Sequence, residues 1–245
     1  MTYANGPRYP WWQRKALVCS AIVFAAVVAI AATAIIATAA RPASPRLTET
    51  DQPVAEGVGR SLLYPQEVNS IFGVKGIAVT ASYGKLAHDT AKIDPAECSA
   101  VANPESEQVW EAVDWEALSG LLLQSPEGDN SHFVLEAIFG LSSPAEAQKM
   151  MTKSAQEWKF CLGKPFSVTE EGKEPVRESM IDFNPSGDIM TALVTVEGTR
   201  YRCQLVRTRL SKYVVDAQAC GFDITDQAEK VAELIVGRLK EKSGS

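Results

Sequence analysis

The stretch "RYRCQLVRTRLSKYVVDAQAC" at residues 200–220 is the strongest indication of the fold, because it has the composition of two β-strands joined by a short turn. Both halves carry the β-branched and aromatic residues that favour strands. If Ser211 and Lys212 form a two-residue turn, paired residue numbers sum to 423, and Cys203 then faces Cys220 at disulfide distance. The Ser-Lys pair lacks the Gly or Asn that tight turns prefer, so a bulge and a shifted register remain open.

Further strand patterns extend this hairpin into a sheet. The clearest is "DIMTALVTVEG" at 188–198, whose Glu197-Gly198 end opens a second hairpin into the first half of the quoted stretch. Strands are also predicted over 76–82 and 131–142. Successive hairpins indicate an antiparallel sheet.

Three helices are predicted around these strands. The longest, "SSPAEAQKMMTKSAQEWKFCLG" at 142–163, has Ser143 as its N-cap and Pro144 at its first position. Its predicted buried face consists of Met151, Ala155, Trp158 and Leu162. Shorter helices are predicted over 65–72 and over 225–241, the latter with Val231, Leu234 and Ile235 on its buried face. The fold class is therefore α+β, an antiparallel sheet flanked by helices.

Cysteine usage indicates an oxidising compartment. The four cysteines after the first 57 residues are Cys98, Cys161, Cys203 and Cys220. An even set of this kind suggests two disulfides, with four free thiols as the alternative. With Cys203 and Cys220 paired across the hairpin, the remaining bond joins the end of the long helix to "DPAECSA" at 94–100. No C-x-x-C spacing occurs and both histidines lie far from the cysteines, so neither a metal site nor a cofactor is predicted.

An apolar run near the N-terminus predicts a membrane anchor. Residues 16–40, "ALVCSAIVFAAVVAIAATAIIATAA", contain no charge, Pro or Gly and are long enough to span a bilayer. Cys19 opens this run, whereas a lipoprotein cysteine closes one. The small residues "ATAA" at 37–40 keep signal-peptide cleavage open as an alternative. The predicted order is a cytoplasmic tail at 1–15, a single-pass anchor at 16–40, a flexible tether at 41–57 and an extracytoplasmic domain at 58–241.

The charge distribution argues against nucleic-acid binding. Residues 1–46 contain five basic residues and no acid, which leaves 19 basic against 30 acidic residues and a net charge of −11 for 47–245. Such a domain is a poor electrostatic match to a phosphate backbone. The partner that the residues themselves predict is the membrane, through the apolar run at 16–40.

Candidate site residues are few. Residues 109–125 suit either a helix or two strands broken at Ser119-Gly120, and their Trp110 and Trp115 could stack on a ligand, with core packing as the simpler role. His132 stands at a strand start, where we expect solvent exposure, with a cleft-lining role as the alternative. "SYGK" at 82–85 matches the S-x-x-K of penicillin-recognising enzymes, but the supporting S-D-N and K-T-G elements are absent from the sequence. No catalytic residue is predicted.

Several motifs in order resemble the extracellular sensor domain of the PknH type, found on actinobacterial receptor kinases and on anchored envelope proteins. They are "LLYPQEVNSIFG" at 62–73, "PAEC" at 95–98, "SPAEAQ…W..C.G", "YRCQLVR…YVVDAQACG" and "DQAEKVAELIVGRL" at 226–239. The resemblance spans about residues 58–240. It implies an antiparallel sheet flanked by helices, disulfides Cys98–Cys161 and Cys203–Cys220, and a cleft for a ligand.

The resemblance also sets the functional expectation. A receptor kinase has a large catalytic domain before its membrane helix, whereas this sequence has about 15 residues there, so we expect no kinase activity of the chain itself. The leading hypothesis is an anchored binding or sensor-like domain with a cleft for a small envelope ligand. The alternative is a protein-interaction or scaffold subunit of an envelope complex.

Overall fold

The sheet is continuous and antiparallel throughout. A computed structural model describes residues 58–86, 91–126 and 131–243, and the predicted tail, anchor and tether lie outside them. In the described residues nine strands pair in the order β1-β3-β4-β9-β8-β7-β6-β5-β2. Their bounds are β1 Ala78–Tyr83, β2 Ala91–Asp94, β3 Trp115–Gln124, β4 Phe133–Leu141, β5 Pro165–Glu170, β6 Val176–Ser186, β7 Ile189–Val196, β8 Arg202–Leu210 and β9 Tyr213–Gly221.

Helices flank this sheet. They are α1 Pro65–Phe72, α2 Ser99–Ala102, α3 Glu107–Trp110, α4 Pro144–Cys161 and α5 Gln227–Ser243, with a 3₁₀ turn at Ala96–Cys98. In α4 the Ser143 hydroxyl accepts a hydrogen bond from the Glu146 backbone N–H, which is the cap that the sequence predicts. The α+β class with an antiparallel sheet and flanking helices is confirmed. None of the described helices combines the length and the apolar composition needed to cross a bilayer.

The β8–β9 hairpin has the predicted register. Leu210 pairs with Tyr213 around the Ser211-Lys212 turn, and Cys203 pairs with Cys220. Ser211 adopts a φ of 53°, so this turn reaches its positive φ without the usual Gly or Asn. Two disulfides are present, Cys203–Cys220 within the hairpin and Cys98–Cys161 between the 3₁₀ turn and the end of α4.

The two faces of the sheet are covered by different elements. On one face, apolar side chains such as Val134, Ile138 and Val215 pack against α1, α5 and the segment that precedes α1. On the other face, Phe139 stacks on Trp110 of α3, and Arg207 contacts Ser154 of α4. Successive side chains along a strand therefore contact different helical layers, because they point to opposite faces of the sheet.

Residues 109–125 are neither a helix nor a hairpin. A short helix ends at Trp110, and β3 then runs through Ser119 and Gly120 without a break. Gly120 has a packing role, because a Cβ at this position would lie 2.2 Å from Cζ of Tyr83. The glycine that resembles a turn signal instead makes room for the ring of the neighbouring strand.

Two side chains predicted to be buried are exposed. Leu162 is exposed because it follows the last residue of α4, where the chain has already left the helical path. Within α4, Ser154 is buried, whereas Ala155, which was predicted on the buried face, is only partly buried. Leu234 of α5 is exposed, whereas Val231 and Ile235 are buried as predicted. The buried face of α5 is centred between positions 231 and 232, which puts Leu234 beyond its margin.

Candidate functional site

A surface groove of about 350 Å³ lies between α4 and the β6–β7 hairpin. Its apolar lining consists of Met151, Ala155, Phe183, Pro185, Ile189 and Met190. Its polar rim, on the exposed side of α4, consists of Gln148, Thr152, Gln156 and Lys159. Among the described residues that line the groove, Lys159 is the only charged one. This composition suits a ligand with an apolar body and a polar or anionic end.

A β-bulge in β6 creates the sheet side of the groove. The register shifts between Met180 and Asp182, so that one residue of β6 is left without a partner on β7. Beyond the shift Phe183 pairs with Ala192 and Pro185 pairs with Met190. The bulge therefore moves the odd-numbered residues of β6 onto the face that meets α4. The ring of Phe183 also makes an edge contact with Trp158, at a centroid distance of 6.0 Å.

A buried ion pair lies beside Met190 of the groove floor. Arg207 of β8 is fully buried, and its Nε and Nη2 donate to the two carboxylate oxygens of Asp216 at 2.6 Å each. Arg207 Nη1 donates to Ser154 Oγ at 2.5 Å, and Nη2 donates to the Pro104 carbonyl at 3.2 Å. Because Ser154 lies between Met151 and Ala155 on α4, the ion pair fixes the helix that forms one wall of the groove.

The ion pair belongs to a transverse row of side chains across six strands. Register places Tyr83, Gly120, Ala137, Asp216, Arg207 and Met190 in line on one face of the sheet. The small residues Gly120 and Ala137 leave space between Tyr83 and Asp216. Met190, the sixth residue of this row, is also part of the groove floor. A shift of the Met190 side chain in the groove floor is therefore felt directly by Arg207, its cross-strand neighbour.

Two further titratable groups belong to this buried region. The pKa of Glu105 is raised to about 8, chiefly by burial; Tyr83 opposes the rise, the nearby charge of Asp216 adds to it, and Arg207 opposes it. Burial, followed by the charge of Glu105, raises the pKa of Tyr83 well above its ordinary value. Glu105 is therefore protonated at neutral pH, and the region carries one compensated ion pair and two neutral acids.

The sequence-predicted ligand residues are not brought together. Trp110 is buried, its ring stacks on Phe139 at a centroid distance of 3.5 Å, and its Nε1 donates to the Pro104 carbonyl. Trp115 begins β3 and is half-buried. Neither tryptophan lines the groove. Trp110 therefore has the packing role that was the simpler interpretation.

His132 is buried, so the expected solvent exposure is wrong. Its Nε2 lies 2.9 Å from Oδ1 of Asp223, and its ring makes an edge contact with Phe72 of α1. It packs on Gly221 so closely that a Cβ there would lie 2.7 Å from its Cδ2. His132 thus sits on the face that α1 and α5 cover, away from the groove.

The structure offers no support for the serine-enzyme pattern or for a metal site. Ser82 lies exposed in β1, an edge strand, whereas the S-x-x-K pattern needs its serine at a helix start. No cluster of His, Cys, Asp and Glu side chains suited to a metal ion occurs within 58–86, 91–126 and 131–243.

The groove itself could not be located from sequence patterns alone. Its walls come from α4, β6 and β7, and β6 contains a proline and several charges that obscure its strand pattern. The ion pair did leave a signal, because 207 and 216 also sum to 423. Opposite charges at paired positions of a hairpin therefore indicated a cross-strand pair.

An antiparallel sheet with flanking helices, two disulfides and a groove beside the longest described helix defines the class as a disulfide-bonded α+β domain. The model of the PknH-like extracellular domain family matches residues 53–238. The chain is 28% identical over 200 residues to the serine/threonine-protein kinases PknH of Mycobacterium bovis and Mycobacterium tuberculosis, covering 81% of this chain. It spans about a third of the length of these relatives, 33% and 32% respectively.

A solved structure agrees with this match. The crystal structure of the extracellular domain of PknH from Mycobacterium tuberculosis aligns with a TM-score of 0.72 and 28% identity, covering 76% of this chain and 96% of that one. The chain belongs to the PknH-like extracellular domain family, as the sequence resemblance predicts.

Proposed function

We propose that this chain is a single-pass membrane protein whose extracytoplasmic domain binds a small amphiphilic ligand of the cell envelope in the groove between α4 and β6–β7. The observation that carries the proposal is the lining, an apolar floor with Lys159 as the one charged side chain among the lining residues that the structure describes. A ligand with an acyl or ring body and an anionic end matches both features, since apolar burial supplies affinity and the cation orients the ligand.

The proposed placement is a tail at 1–15, an anchor at 16–40, a tether at 41–57 and an extracytoplasmic domain at 58–241. Its support is the uncharged 25-residue run at 16–40, the two disulfides and membership of a family of extracellular domains. Protease added outside intact cells should digest the domain and leave a fragment of the anchor that resists alkaline extraction. A full-length chain released by alkali would refute the anchor.

We assign the domain binding without a catalytic step of its own. The described residues that line the groove include no carboxylate or histidine that could act as a general base beside Thr152 or Lys159. The activity of the PknH kinases is theirs, and this chain matches their extracellular portion. In an extracytoplasmic binding domain without a kinase activity of its own, a ligand in the groove would either change binding to a partner protein or simply be held there.

Native mass spectrometry of the protein purified from its own membrane, with disulfides intact, tests ligand binding. The wild type should carry a mass excess that is lost on denaturation. Ala155→Trp fills the groove and should abolish the excess, whereas Lys149→Trp, at an exposed position on the same helix, should retain it. An unliganded wild-type mass, or an excess that survives Ala155→Trp, would refute the groove as the site.

A protein-interaction role is the second candidate, and one exposed patch favours it. Phe160, Leu162 and Ile181 are exposed large apolar side chains near the end of α4, where Leu162 bridges to Met180 beside Ile181. Exposed apolar patches mark protein interfaces. In-membrane cross-linking should then capture one defined partner, and Phe160→Ser/Ile181→Ser should abolish capture while leaving ligand mass in the groove unchanged.

A further inference from the structure

One stripe of α5 combines cations with an exposed apolar side chain. Lys230, Leu234, Arg238 and Lys242 follow one another at intervals of four residues, which places them along one side of the helix. Leu234 is 46% exposed, although the helix buries most of its other apolar side chains. The last seven described side chains of α5, residues 236–242, include three basic residues and one acid.

The segment that precedes α1 continues this stripe. Tyr64 is 64% exposed, and its ring centre lies 5.9 Å from the guanidinium carbon of Arg238. Arg238 donates to the Leu62 carbonyl at 2.6 Å, and Lys242 donates to Ser61 Oγ at 2.9 Å. These bonds hold the cations in place against the start of the folded domain. We call the surface formed by Arg60, Tyr64, Leu234, Arg238 and Lys242 the basic face.

The cations of the basic face lie close enough to interact. Burial, followed by the positive charges of Arg60 and Arg238, lowers the pKa of Lys242. Glu67 pairs with Arg238 and compensates part of this charge. A helix C-terminus favours cations by its dipole, but the dipole accounts for neither the exposed Arg60 nor the exposed Tyr64 and Leu234.

Such a face is unexpected on this domain, because residues 47–245 carry a net charge of −11. Its position is equally informative. It lies next to the start of the described domain at residue 58, because Lys242 and Arg238 bond to Ser61 and Leu62. The predicted tether precedes this point, and 17 extended residues reach at most ~60 Å. A domain held this close to a surface experiences that surface at an effective concentration in the millimolar range. Weak binding therefore suffices for docking.

We propose that the basic face docks the domain onto the anionic lipid headgroups of the membrane in which the chain is anchored. The inference rests on the proposed membrane placement, but it is independent of a ligand in the groove. Cations next to an exposed tyrosine and leucine are the combination that binds the interface of an anionic bilayer, where rings and aliphatic chains enter the headgroup region. Docking would fix which way the groove faces relative to the membrane.

The test uses the soluble fragment 52–245, which is a compact unit and matches a domain crystallised as an extracellular fragment. It is sedimented with phosphatidylcholine vesicles and with vesicles of equal phosphatidylcholine and phosphatidylglycerol, at low and high salt. Each cation near an anionic surface contributes roughly fivefold in affinity. Arg60→Gln/Lys242→Gln should therefore weaken binding to the anionic vesicles by about 25-fold. The control Lys149→Gln/Lys164→Gln makes the same charge change elsewhere and should alter binding less than about twofold.

Leu234→Gln distinguishes a membrane from other anionic partners, since it leaves the charge unchanged. It should weaken vesicle binding several-fold and leave binding to soluble polyglutamate unaffected. Less than a tenth of the wild type bound at about 10 mM anionic lipid would overturn the proposal, because the tether supplies only millimolar concentrations. Equal losses in the test and control pairs would also overturn it. Extraction of the full-length chain by alkali would instead refute the anchor and leave vesicle docking unaffected.

Discussion

Replacing Asp216 by Ala leaves the buried guanidinium of Arg207 without its counter-ion. Asp216 accepts two charge-assisted hydrogen bonds at 2.6 Å, and Arg207 is fully buried. Bonds of this type contribute about 1.5 to 3 kcal/mol each. Removing one partner of a buried ion pair costs about 3 to 5 kcal/mol, because the remaining charge is uncompensated. We expect Asp216→Ala to lower the free energy of unfolding by that amount.

The assay is urea unfolding of fragment 52–245 with its disulfides intact, followed by tryptophan fluorescence. Asp188→Ala is the matched control, because Asp188 pairs with Arg209, two residues along β8, and is 61% exposed. Exposed pairs contribute at most about 1 kcal/mol. The apolar double variant Arg207→Met/Asp216→Leu should be less destabilised than Asp216→Ala alone, because it leaves no buried charge.

Glu105 adds a pH signature to this prediction. Its pKa is raised to about 8 by burial and by Asp216, whereas Arg207 opposes the rise. Without Asp216 the Glu105 carboxyl should ionise more readily and partly compensate Arg207. The cost of Asp216→Ala should therefore be smaller at pH 9 than at pH 6, and Glu105→Gln should remove that difference. A cost of Asp216→Ala no larger than that of Asp188→Ala would show that burial does not strengthen the dependence of Arg207 on its counter-ion.

Three further predictions concern packing, turn geometry and a second buried acid. Gly120→Ala should destabilise the domain by about 1 to 3 kcal/mol in urea unfolding, because its Cβ would meet the Tyr83 ring. The control Gly237→Ala has open space in α5 and should stabilise the domain by about 0.5 to 1 kcal/mol. Equal effects of the two substitutions would contradict a packing role for Gly120. Ser211→Gly should raise stability by about 0.5 to 1 kcal/mol by relieving the positive φ, and a loss would show that the hydroxyl matters more than the backbone. Burial raises the pKa of Glu136 to about 8, above its unfolded value, so the folded state retains a proton that the unfolded state releases between about pH 4.5 and 8. Glu136 should contribute up to about 5 kcal/mol to a fall in stability across that window, in addition to the contribution of Glu105. Glu136→Gln, which can still accept from the Leu63 N–H, should remove the Glu136 contribution in a pH series of urea unfolding, and an unchanged pH dependence would refute the shift.

Local patterns predicted those parts of the fold that local physics determines. The β8–β9 register followed from a turn at Ser211-Lys212, although Ser211 must adopt a positive φ to form it. The cap of α4 followed from Ser143 and Pro144. The Gly120 interpretation failed because the reason for that glycine is a ring on a strand about 40 residues earlier in the chain.

The groove and the buried Glu105 depend on long-range placement. The bulge before Phe183 determines which residues of β6 face α4. A shift of one residue in a largely exposed strand leaves no clear alternation of apolar and polar residues in the sequence. Glu105 is buried because its segment lies over Arg207. Hydrophobic periodicity in the sequence gives no sign of this long-range placement. Candidate ligand residues chosen by type, Trp110 and His132, proved to be core residues on opposite faces of the sheet.

The most direct test of the proposed ligand site is a crystal structure of the domain purified from its own membrane with both disulfides intact. We expect electron density for a small amphiphile between α4 and the β6–β7 hairpin, with its apolar part against Met151 and Met190 and its polar end near Lys159. An empty groove, with ligand density elsewhere on the domain, would contradict it.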